Sequence, residues 1–513
     1  MCGIAGFCNF KEDFEENTDY WNFRLEKMRA VLAHRGNDAR GRFLKKHIGL
    51  SHSRLAIRDI LCGDQPMTRT HNGYEYTICY NGEIYNTDEL IPELSENGFV
   101  CSTTSDTEVI LYAYIHWGAD FVNRLNGIFA FAIWDAAKRR LLLYRDRVGV
   151  KPLFYAIRGD SLVFGSEPKA CFAHPAVKPE LDKQGLQELL AIGPAHTSGL
   201  SLFKDLFEVL PGHFMIYSRD GLHDETYWEL TSREHTESYR DTVAHTRFLV
   251  EDAIKRQMVS DVPVCTFLSG GIDSSIVTAI AANYMNTRGK TLNTFSFDFK
   301  DNDRYFKANA FQPERDLPYV NRMLEEYETA HSYLECDENS LFKALFAAVD
   351  AKDMPGMTDV DSSLLYFCSL VSRKNKVALT GECADEIFGG YPWFYRKELL
   401  ERYGFPWSSD VAPRLALLRD DVGLELDLSG YQAFRYEESR SKAPLLYGEA
   451  GEDESRRIIG YLNIKWFMQT LLDRMDRTSM YSELEARVPF ADHRIIEYVF
   501  NVPWHMKYQN GVE

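Results

Sequence analysis

The apolar pattern of this 513-residue chain changes in kind near residue 236. Before that point, short segments such as Tyr74–Tyr80 alternate apolar and polar side chains, and helical stretches at Trp21–Ala33 and Thr107–Trp117 separate them. After it, apolar strands and amphipathic helices follow one another in turn, which is typical of a parallel sheet with crossover helices. The pattern predicts an α+β domain with antiparallel sheets at residues 1–225 and an α/β domain with additional helices at residues 236–513.

Charge and cysteine usage narrow the class of protein. Lys and Arg number 58 against 76 Asp and Glu, a net charge of −18, which disfavours binding to nucleic acid or to anionic membranes. No apolar run reaches the roughly 18 residues that a membrane helix needs, and the N-terminus lacks the pattern of a secretory signal. Ten cysteines are spread without a C-x-x-C pair, as expected for reduced thiols. We therefore expect a cytoplasmic protein.

A glycine-rich turn joins a predicted strand to a predicted helix in the second domain. Ser269-Gly270-Gly271-Ile272-Asp273-Ser274 follows the apolar segment Val262–Leu268 and opens a helix over Asp273–Met285. Free backbone N–H groups and the positive end of a helix suit an anion such as pyrophosphate, and Asp273 is a candidate Mg²⁺ ligand. A plain glycine turn in which Asp273 caps the helix is the structural alternative.

An acidic loop follows another predicted strand of the same domain. Lys376–Leu379 precedes Thr380-Gly381-Glu382-Cys383-Ala384-Asp385-Glu386. Ligands of open α/β sheets bind at the carboxyl ends of the strands, so three carboxylates there indicate a binding site. Solvated acids at the start of a helix are the alternative.

These two stretches together resemble the PP-loop ATP pyrophosphatases, which cleave ATP to AMP and pyrophosphate. A third stretch, Leu471–Asp492, contains Asp476-Arg477 and then Glu485-Ala486-Arg487-Val488-Pro489-Phe490-Ala491-Asp492. With it, the second domain resembles the synthetase domain of the glutamine-dependent asparagine synthetases. Cys383 departs from that pattern, which usually has glycine there.

The resemblance implies roles for individual residues of this domain. It implies Mg²⁺ held by Asp273 and Asp385, with Arg477 neutralising charge on the phosphates. Glu382 is expected to position or deprotonate ammonia, or to help form the adenylate. The residues expected around ATP are Leu268, Ser269, Gly270, Gly271, Asp273, Ser274, Phe297, Thr380 and Gly381.

The beginning of the chain, Met1-Cys2-Gly3-Ile4, carries a candidate nucleophile. Removal of Met1 would leave an amine on the same residue as the Cys2 thiol. An α-amine has a pKa of about 8, close enough to working pH to act as the base that activates the sulfur. A buried structural cysteine is the alternative.

Three further stretches favour the catalytic interpretation, and each has a structural alternative. Asn81-Gly82 offers an amide and an N–H group for an oxyanion hole, or a tight hairpin turn. Arg54 offers a bidentate contact to a carboxylate, or a surface salt bridge. Asp106 offers a contact to an ammonium group, or it belongs to the capping box that Ser105 and Glu108 predict.

The set resembles the class II glutamine amidotransferases, which are N-terminal-nucleophile (Ntn) hydrolases with a four-layer αββα fold. The resemblance implies that Cys2 attacks the glutamine amide and that Asn81 and Gly82 stabilise the tetrahedral intermediate. The residues expected to bind glutamine are Arg54, Leu55, Ile57, Asn81, Gly82, Glu83 and Asp106.

The two resemblances together imply a ligase that makes asparagine from aspartate, glutamine and ATP. Ammonia would pass from Cys2 to a β-aspartyl-adenylate through a largely apolar passage. The expected binding partners are these small molecules, and a homodimer is the oligomeric state considered. Three alternatives remain: a β-lactam synthetase or lasso-peptide cyclase type of enzyme with another acceptor, a PP-loop enzyme that modifies tRNA, and a non-catalytic sensor of glutamine.

Overall fold

A computed structural model describes residues 2–308, 314–408 and 410–509 of the chain. Met1 and residues 510–513 lie outside the described residues, so removal of Met1 stays a prediction. Within the described ranges, no helix has both the length and the apolar character needed to cross a membrane.

Two six-stranded antiparallel sheets form the first half. Their strands are β1 (Cys2–Asn9), β2 (Ala39–Lys45), β3 (Ile48–Arg54), β4 (Met67–His71), β5 (Tyr74–Ile84), β6 (Gly127–Asp135), β7 (Arg140–Arg145), β8 (Phe154–Arg158), β9 (Ser161–Gly165), β10 (Phe207–Glu208), β11 (His213–Ser218) and β12 (Gly221–Thr226). The first sheet has the order β10-β8-β9-β1-β3-β2 and the second β12-β11-β7-β6-β5-β4. The predicted antiparallel sheets are therefore present.

Four helices of this half cover the outer faces of the two sheets: α1 (Thr18–Ala30), α2 (Thr87–Glu96), α3 (Asp106–Trp117) and α4 (Pro168–Phe172). A fifth helix, α5 (Lys183–Gln187), packs against the apolar cluster that joins the two halves of the chain. One apolar cluster lies between the sheets, a second joins β1 and β9 to α1 and α4, and a third joins β5 and β6 to α2 and α3. The layers thus run helix, sheet, sheet, helix.

This four-layer packing corrects one detail of the sequence interpretation. Alternation of apolar and polar side chains is typical of a half-buried strand, yet Thr77 and Cys79 of β5 are as inaccessible as Ile78 and Tyr80. From Thr77 onward the strand lies inside a sandwich and both of its faces are covered, whereas Tyr74 and Glu75 are exposed.

A five-stranded parallel sheet organises the second half. Its strands are β13 (Val264–Phe267), β14 (Leu292–Phe299), β15 (Thr329–Cys336), β16 (Val377–Leu379) and β17 (Glu485–Arg487), in the order β15-β14-β13-β16-β17. All four pairings are parallel, as the alternation of strands and helices predicts.

Many helices surround this sheet. They are α6 (Tyr239–Arg256), α7 (Ile272–Asn286), α8 (Asn302–Tyr305), α9 (Leu317–Glu326), α10 (Glu338–Lys352), α11 (Thr358–Val371), α12 (Ala384–Phe388), α13 (Lys397–Leu400), α14 (Ala412–Leu415), α15 (Asp420–Leu426), α16 (Leu428–Arg440), α17 (Glu452–Leu462), α18 (Met468–Met480), α19 (His493–Asn501) and α20 (Trp504–Lys507). One apolar cluster joins both halves, with Leu55, Ile57 and Val150 beside Ala253 and Leu379.

Candidate active sites

The first candidate site lies where β1 begins, beside the second sheet. The Cys2 backbone nitrogen donates to Oδ1 of Asn81 at 2.9 Å. Asn81 is in the interior of β5 rather than in a hairpin turn, so the turn interpretation is wrong. Among the described residues, Asn81 Nδ2 has no hydrogen-bond partner although it is buried. This arrangement leaves an amide donor available beside the thiol, as an oxyanion hole requires.

The Cys2 side chain is buried. Burial raises its pKa above the ordinary value, while a hydrogen bond from the Leu55 backbone and the charge of Arg54 act in the opposite direction. A thiol with a raised pKa is protonated at neutral pH, so it needs a base to become a nucleophile.

Two residues predicted to bind glutamine, Arg54 and Asp106, form hydrogen bonds to other residues of the protein. The Arg54 guanidinium donates to the carbonyls of Ile60 and Asp59 and to Oδ1 of Asp64. Asp106 accepts from the Tyr80 hydroxyl at 2.9 Å and from a backbone N–H. Arg54 itself is buried, but its ion pair with the three-quarters exposed Asp64 is the salt bridge that the structural alternative describes.

The predicted capping box beside Asp106 is only half formed. Ser105 accepts from the Thr107 N–H as a helix cap. Glu108 turns instead toward Arg69 and the backbone N–H groups of Ser102 and Thr103. Glu108 accepts five hydrogen bonds from Arg69, Ser102 and Thr103, so its carboxylate is already satisfied without the Ser105 N–H that a capping box would use.

The second candidate site is a cleft of about 490 Å³ at the carboxyl ends of β13 and β16. The glycine turn and the acidic loop meet here. A Cβ atom on Gly381 would lie 2.9 Å from the Ser274 nitrogen and 3.0 Å from Asp273 Cβ, so only glycine permits this approach. The predicted residues that line the cleft are Ser269, Gly271, Asp273, Ser274, Thr380, Gly381, Glu382 and Asp385.

Other predicted residues lie behind or away from the cleft wall. Leu268 is buried, and Phe297 packs on Phe367, which does line the cleft. Gly270 is absent from the lining; a Cβ there would meet Asp316 and Tyr319, and φ is +87°.

The structure does not bring Arg477 to this cleft. Its guanidinium is fully buried, donating to Asp353 Oδ2 at 2.8 Å and to the Ala351 carbonyl. Arg474, one turn earlier on α18, lines the cleft and donates to Glu382 Oε1 at 2.9 Å. Which of two nearby arginines faces the cleft depends on how α18 packs, so sequence reasoning missed Arg474.

The acidic loop contains carboxyl groups in different environments. Burial raises the pKa of Glu386 to about 8, and Tyr391 donates a hydrogen bond to it. Burial, with the charge of Glu382, also raises the pKa of Asp385. Cys383 begins the turn into α12 with φ of +78°, a conformation that explains why glycine is the expected residue there.

A network of buried charged groups joins the first site to α18, the helix that also carries Arg474. Arg35 donates to the Cys2 carbonyl at 3.1 Å, to Glu167 at 2.9 Å and to Asp476 at 2.8 Å. Lys151 reaches the other oxygen of Asp476 at 3.0 Å. Burial alone would raise the pKa of Asp476, but the two cations hold it below its ordinary value. The local sequence His34-Arg35-Gly36 indicates no more than the end of a helix, so it does not predict this link.

The cleft chemistry also fits a divalent cation. Mg²⁺ binds through one or two carboxylates together with substrate phosphates, and Asp273 and Asp385 both line the cleft. The donor set is therefore adequate only when a polyphosphate supplies the remaining oxygens.

The fold and the two sites define a glutamine amidotransferase joined to a nucleotide-dependent synthetase. Residues 1–228 match a family model described as a glutamine amidotransferase domain, and residues 245–513 match one described as asparagine synthase. The chain belongs to the family of glutamine-hydrolysing asparagine synthetases.

Two similar proteins bear the name of this family, and a third is named an amidase. Asparagine synthetase [glutamine-hydrolyzing] 3 of Bacillus subtilis is 48% identical, covering 100% of this chain and 83% of that protein. Asparagine synthetase [glutamine-hydrolyzing] 1 of the same organism is 29% identical, covering 100% of this chain and 82% of that protein. Amidase chyE of Penicillium rubens is 30% identical, covering 99% of this chain and 83% of that protein. Among solved structures, the glutamine phosphoribosylpyrophosphate amidotransferase of B. subtilis matches 65% of this chain and 81% of that chain, with a TM-score of 0.34 and 16% identity.

Proposed function

We propose that the protein makes asparagine from aspartate, glutamine and ATP, with AMP, pyrophosphate and glutamate as the other products. The observation that carries this proposal is the pair of sites in one chain of this family. One site has Cys2 against Asn81, and the other has the glycine turn against the acidic loop. The first half is then an Ntn hydrolase, and the second is a PP-loop ATP pyrophosphatase.

Glutamine hydrolysis begins at Cys2 once Met1 has been removed. The free amine takes the thiol proton, and the sulfur attacks the side-chain amide carbon of glutamine. The negative oxygen that develops is bonded by Asn81 Nδ2 and the Gly82 N–H. The amine then protonates the leaving nitrogen, ammonia departs, and water hydrolyses the thioester to glutamate.

Glutamine would be held by the groups around this thiol. Its α-ammonium group is expected to contact Glu83 and Asp106, and its α-carboxylate to contact Arg54. Arg54 would exchange its contact to Asp64, which is three-quarters exposed and easily released to water.

Activation of aspartate takes place in the cleft. The β-carboxylate attacks the α-phosphorus of ATP and expels pyrophosphate onto the Ser269–Ser274 turn, whose N–H groups and helix end suit an anion. Mg²⁺ held by Asp273 and Asp385 would supply charge neutralisation for the phosphates. Arg474, rather than Arg477, is positioned to face the negative charge that develops on the phosphates, because Arg474 lines the cleft.

Ammonia then attacks the acyl carbon of the adenylate, and AMP leaves. Glu382, held by Arg474, stands at the cleft wall, where it can accept a proton from the incoming nitrogen. The apolar cluster between the halves offers a route that keeps ammonia unprotonated. The ten free thiols suit a reducing compartment such as the cytoplasm.

Substitution of the thiol separates the two half-reactions. Cys2→Ala should reduce glutamine-dependent synthesis by about 10³-fold or more, because no nucleophile remains, while ammonia-dependent synthesis persists. The measurement is pyrophosphate and asparagine formation with glutamine or ammonium as the nitrogen source. Cys101→Ala, which removes a half-buried thiol beside Glu108, is the matched control and should leave both rates unchanged.

A panel of carboxylate acceptors tests the product. Pyrophosphate release with glutamine present should be fastest with aspartate. A preference for another acceptor would overturn the asparagine assignment in favour of a related amide-forming enzyme. Glutaminase activity that survives in Cys2→Ala would contradict the role of the thiol.

A further inference from the structure

Arg487 occupies the boundary between the two sites. It ends β17, and its side chain is fully buried. Its Nε donates to Glu485 at 2.5 Å, and its Nη1 donates to the backbone carbonyls of Gln257 and Val259. All three partners belong to the second half of the chain. They hold the guanidinium through Nε and Nη1, and Nη2 takes no part in these hydrogen bonds.

The remaining face of this guanidinium meets the glutamine site. Nη2 of Arg487 lies 3.6 Å from Oε1 of Glu83, which is too long for a hydrogen bond but within ion-pair range. Among the described residues, Arg487 Nη2, Glu83 Oε2 and the Tyr85 hydroxyl have no hydrogen-bond partner although all are buried. Buried polar groups are nearly always bonded, so this side of the contact is arranged for a group that arrives from outside.

The main chain of Arg487 meets the nucleotide site. Its carbonyl accepts from the Thr380 N–H at 3.0 Å and from the Thr380 hydroxyl at 3.4 Å. Thr380 leads directly into Gly381 and Glu382, which line the cleft. One residue therefore contacts a glutamine-site carboxylate with its side chain and the first residue of the acidic loop with its backbone.

We infer that Arg487 is a positioning residue that couples glutamine occupancy to the nucleotide loop. The inference rests on the proposed function. An ammonium group bound to Glu83 competes with the Arg487 guanidinium for that carboxylate. The electrostatic attraction between Glu83 and Arg487, the last residue of β17, is then weaker. Because Thr380 is hydrogen-bonded to the carbonyl of Arg487, a shift of Arg487 also shifts the acidic loop. Coupling of this kind is reciprocal, so the nucleotide changes glutamine affinity by the same factor.

Calorimetric titration of the full chain carrying Cys2→Ala tests the inference, because this variant cannot consume glutamine. The probes are L-glutamine and the α,β-methylene analogue of ATP, each titrated with and without the other. We expect each ligand to change the dissociation constant of the other by the same factor, about five-fold or more. Adding Arg487→Lys, which shortens the side chain and removes the forked donors, should bring that factor to about one.

Comparison variants distinguish coupling from a loss of structure. Arg256→Met breaks another ion pair between the halves, Arg256 to Glu89 at 2.6 Å, and should leave the factor unchanged. If Arg487→Lys does not fold, Thr380→Val removes the hydroxyl at the other end of the path and should lower the factor at least two-fold. A purely structural role would weaken both ligands and leave the factor intact.

Two results would overturn the inference alone. One is binding of both ligands without coupling in Cys2→Ala, which leaves the proposed function standing. The other is full coupling in the Arg487→Lys or Thr380→Val variant. Failure of either ligand to bind by itself would overturn the proposed function together with this inference.

Discussion

At the scale of single residues, Glu386 shows how burial changes the state of a carboxyl group. Its pKa of about 8 lies far above that of an exposed glutamate, because burial and then the charges of Glu382 and Asp385 disfavour ionisation. The group is therefore protonated in the fold at neutral pH. Of the three acids that the sequence places together, Glu386 is the one least suited to bind a cation.

This raised pKa predicts a pH-dependent stability. The folded state binds a proton that the unfolded state releases between pH of about 4.5 and 8, so stability falls as pH rises through that window and levels off above it. Between pH 6 and 8 we expect the wild type to lose about 2 kcal/mol relative to Glu386→Gln, which keeps an acceptor for Tyr391. Urea unfolding at several pH values measures this difference.

The exposed Glu398 supplies the comparison for this measurement. Glu398→Gln should follow the wild-type profile. Parallel profiles for the wild type and Glu386→Gln would show that Glu386 is ionised in the fold.

At the scale of elements, the cleft depends on the close approach of two loops, each anchored by a strand of the same parallel sheet. The acidic loop leaves β16 and the glycine turn leaves β13, and these strands are neighbours. Gly381 touches the first turn of α7 because it has no side chain. The sequence predicts both loops, while the neighbouring positions of their strands put them in contact.

Gly381→Ala should separate the two loops. Its Cβ would lie within 3.1 Å of Asp273 and Ser274, including backbone atoms that cannot move away cheaply. Overpacking of this kind costs about 1–3 kcal/mol, so we expect KM for ATP to rise about ten-fold or more while kcat for glutamine hydrolysis is unchanged. Steady-state kinetics of the two half-reactions provide the measurement.

Gly423 provides a matched control in α15. A Cβ there meets only Leu415 at an ordinary 3.6 Å, so Gly423→Ala should leave KM for ATP unchanged. An unaltered KM in Gly381→Ala would contradict the role of this contact.

At the scale of the whole molecule, buried charges and a shared apolar cluster hold the halves together. Asp476 on α18 pairs with Arg35 and Lys151 from the first half, and all three side chains are almost completely buried. The same helix directs Arg474 into the cleft. One element thus contributes both to the interface and to the second site.

Asp476→Asn should destabilise the interface. It leaves two buried cations without their shared carboxylate, which costs about 3 kcal/mol or more. Chemical unfolding followed by intrinsic fluorescence measures the loss, and we expect the two halves to melt more independently in calorimetry.

The exposed pair of Asp38 and Lys376 also crosses between the halves, at 2.7 Å. Asp38→Asn should cost less than about 1 kcal/mol, because solvent screens this pair. Equal losses in the two variants would show that burial does not govern the Asp476 network.

The sequence by itself determined the local chemistry of this protein. Cys2, the Ser269–Ser274 turn and the Thr380–Glu386 loop could be recognised because each lies within a few consecutive residues whose backbone preferences and chemistry suffice to mark them. The family pattern has glycine where this chain has Cys383, and glycine is the residue that most readily adopts a positive φ. The positive φ of Cys383 could therefore be anticipated from the sequence.

Only the tertiary structure decided which charged side chains meet. Arg35 and Asp476 are separated by 441 positions, and Glu83 and Arg487 by more than 400, so no local pattern records their contacts. Partners of this kind are selected by the packing of sheets and helices, which also turned Arg474 toward the cleft and Arg477 away from it. The link between the two sites is therefore a property of the assembled fold, because burial and distance set the strength of an ion pair.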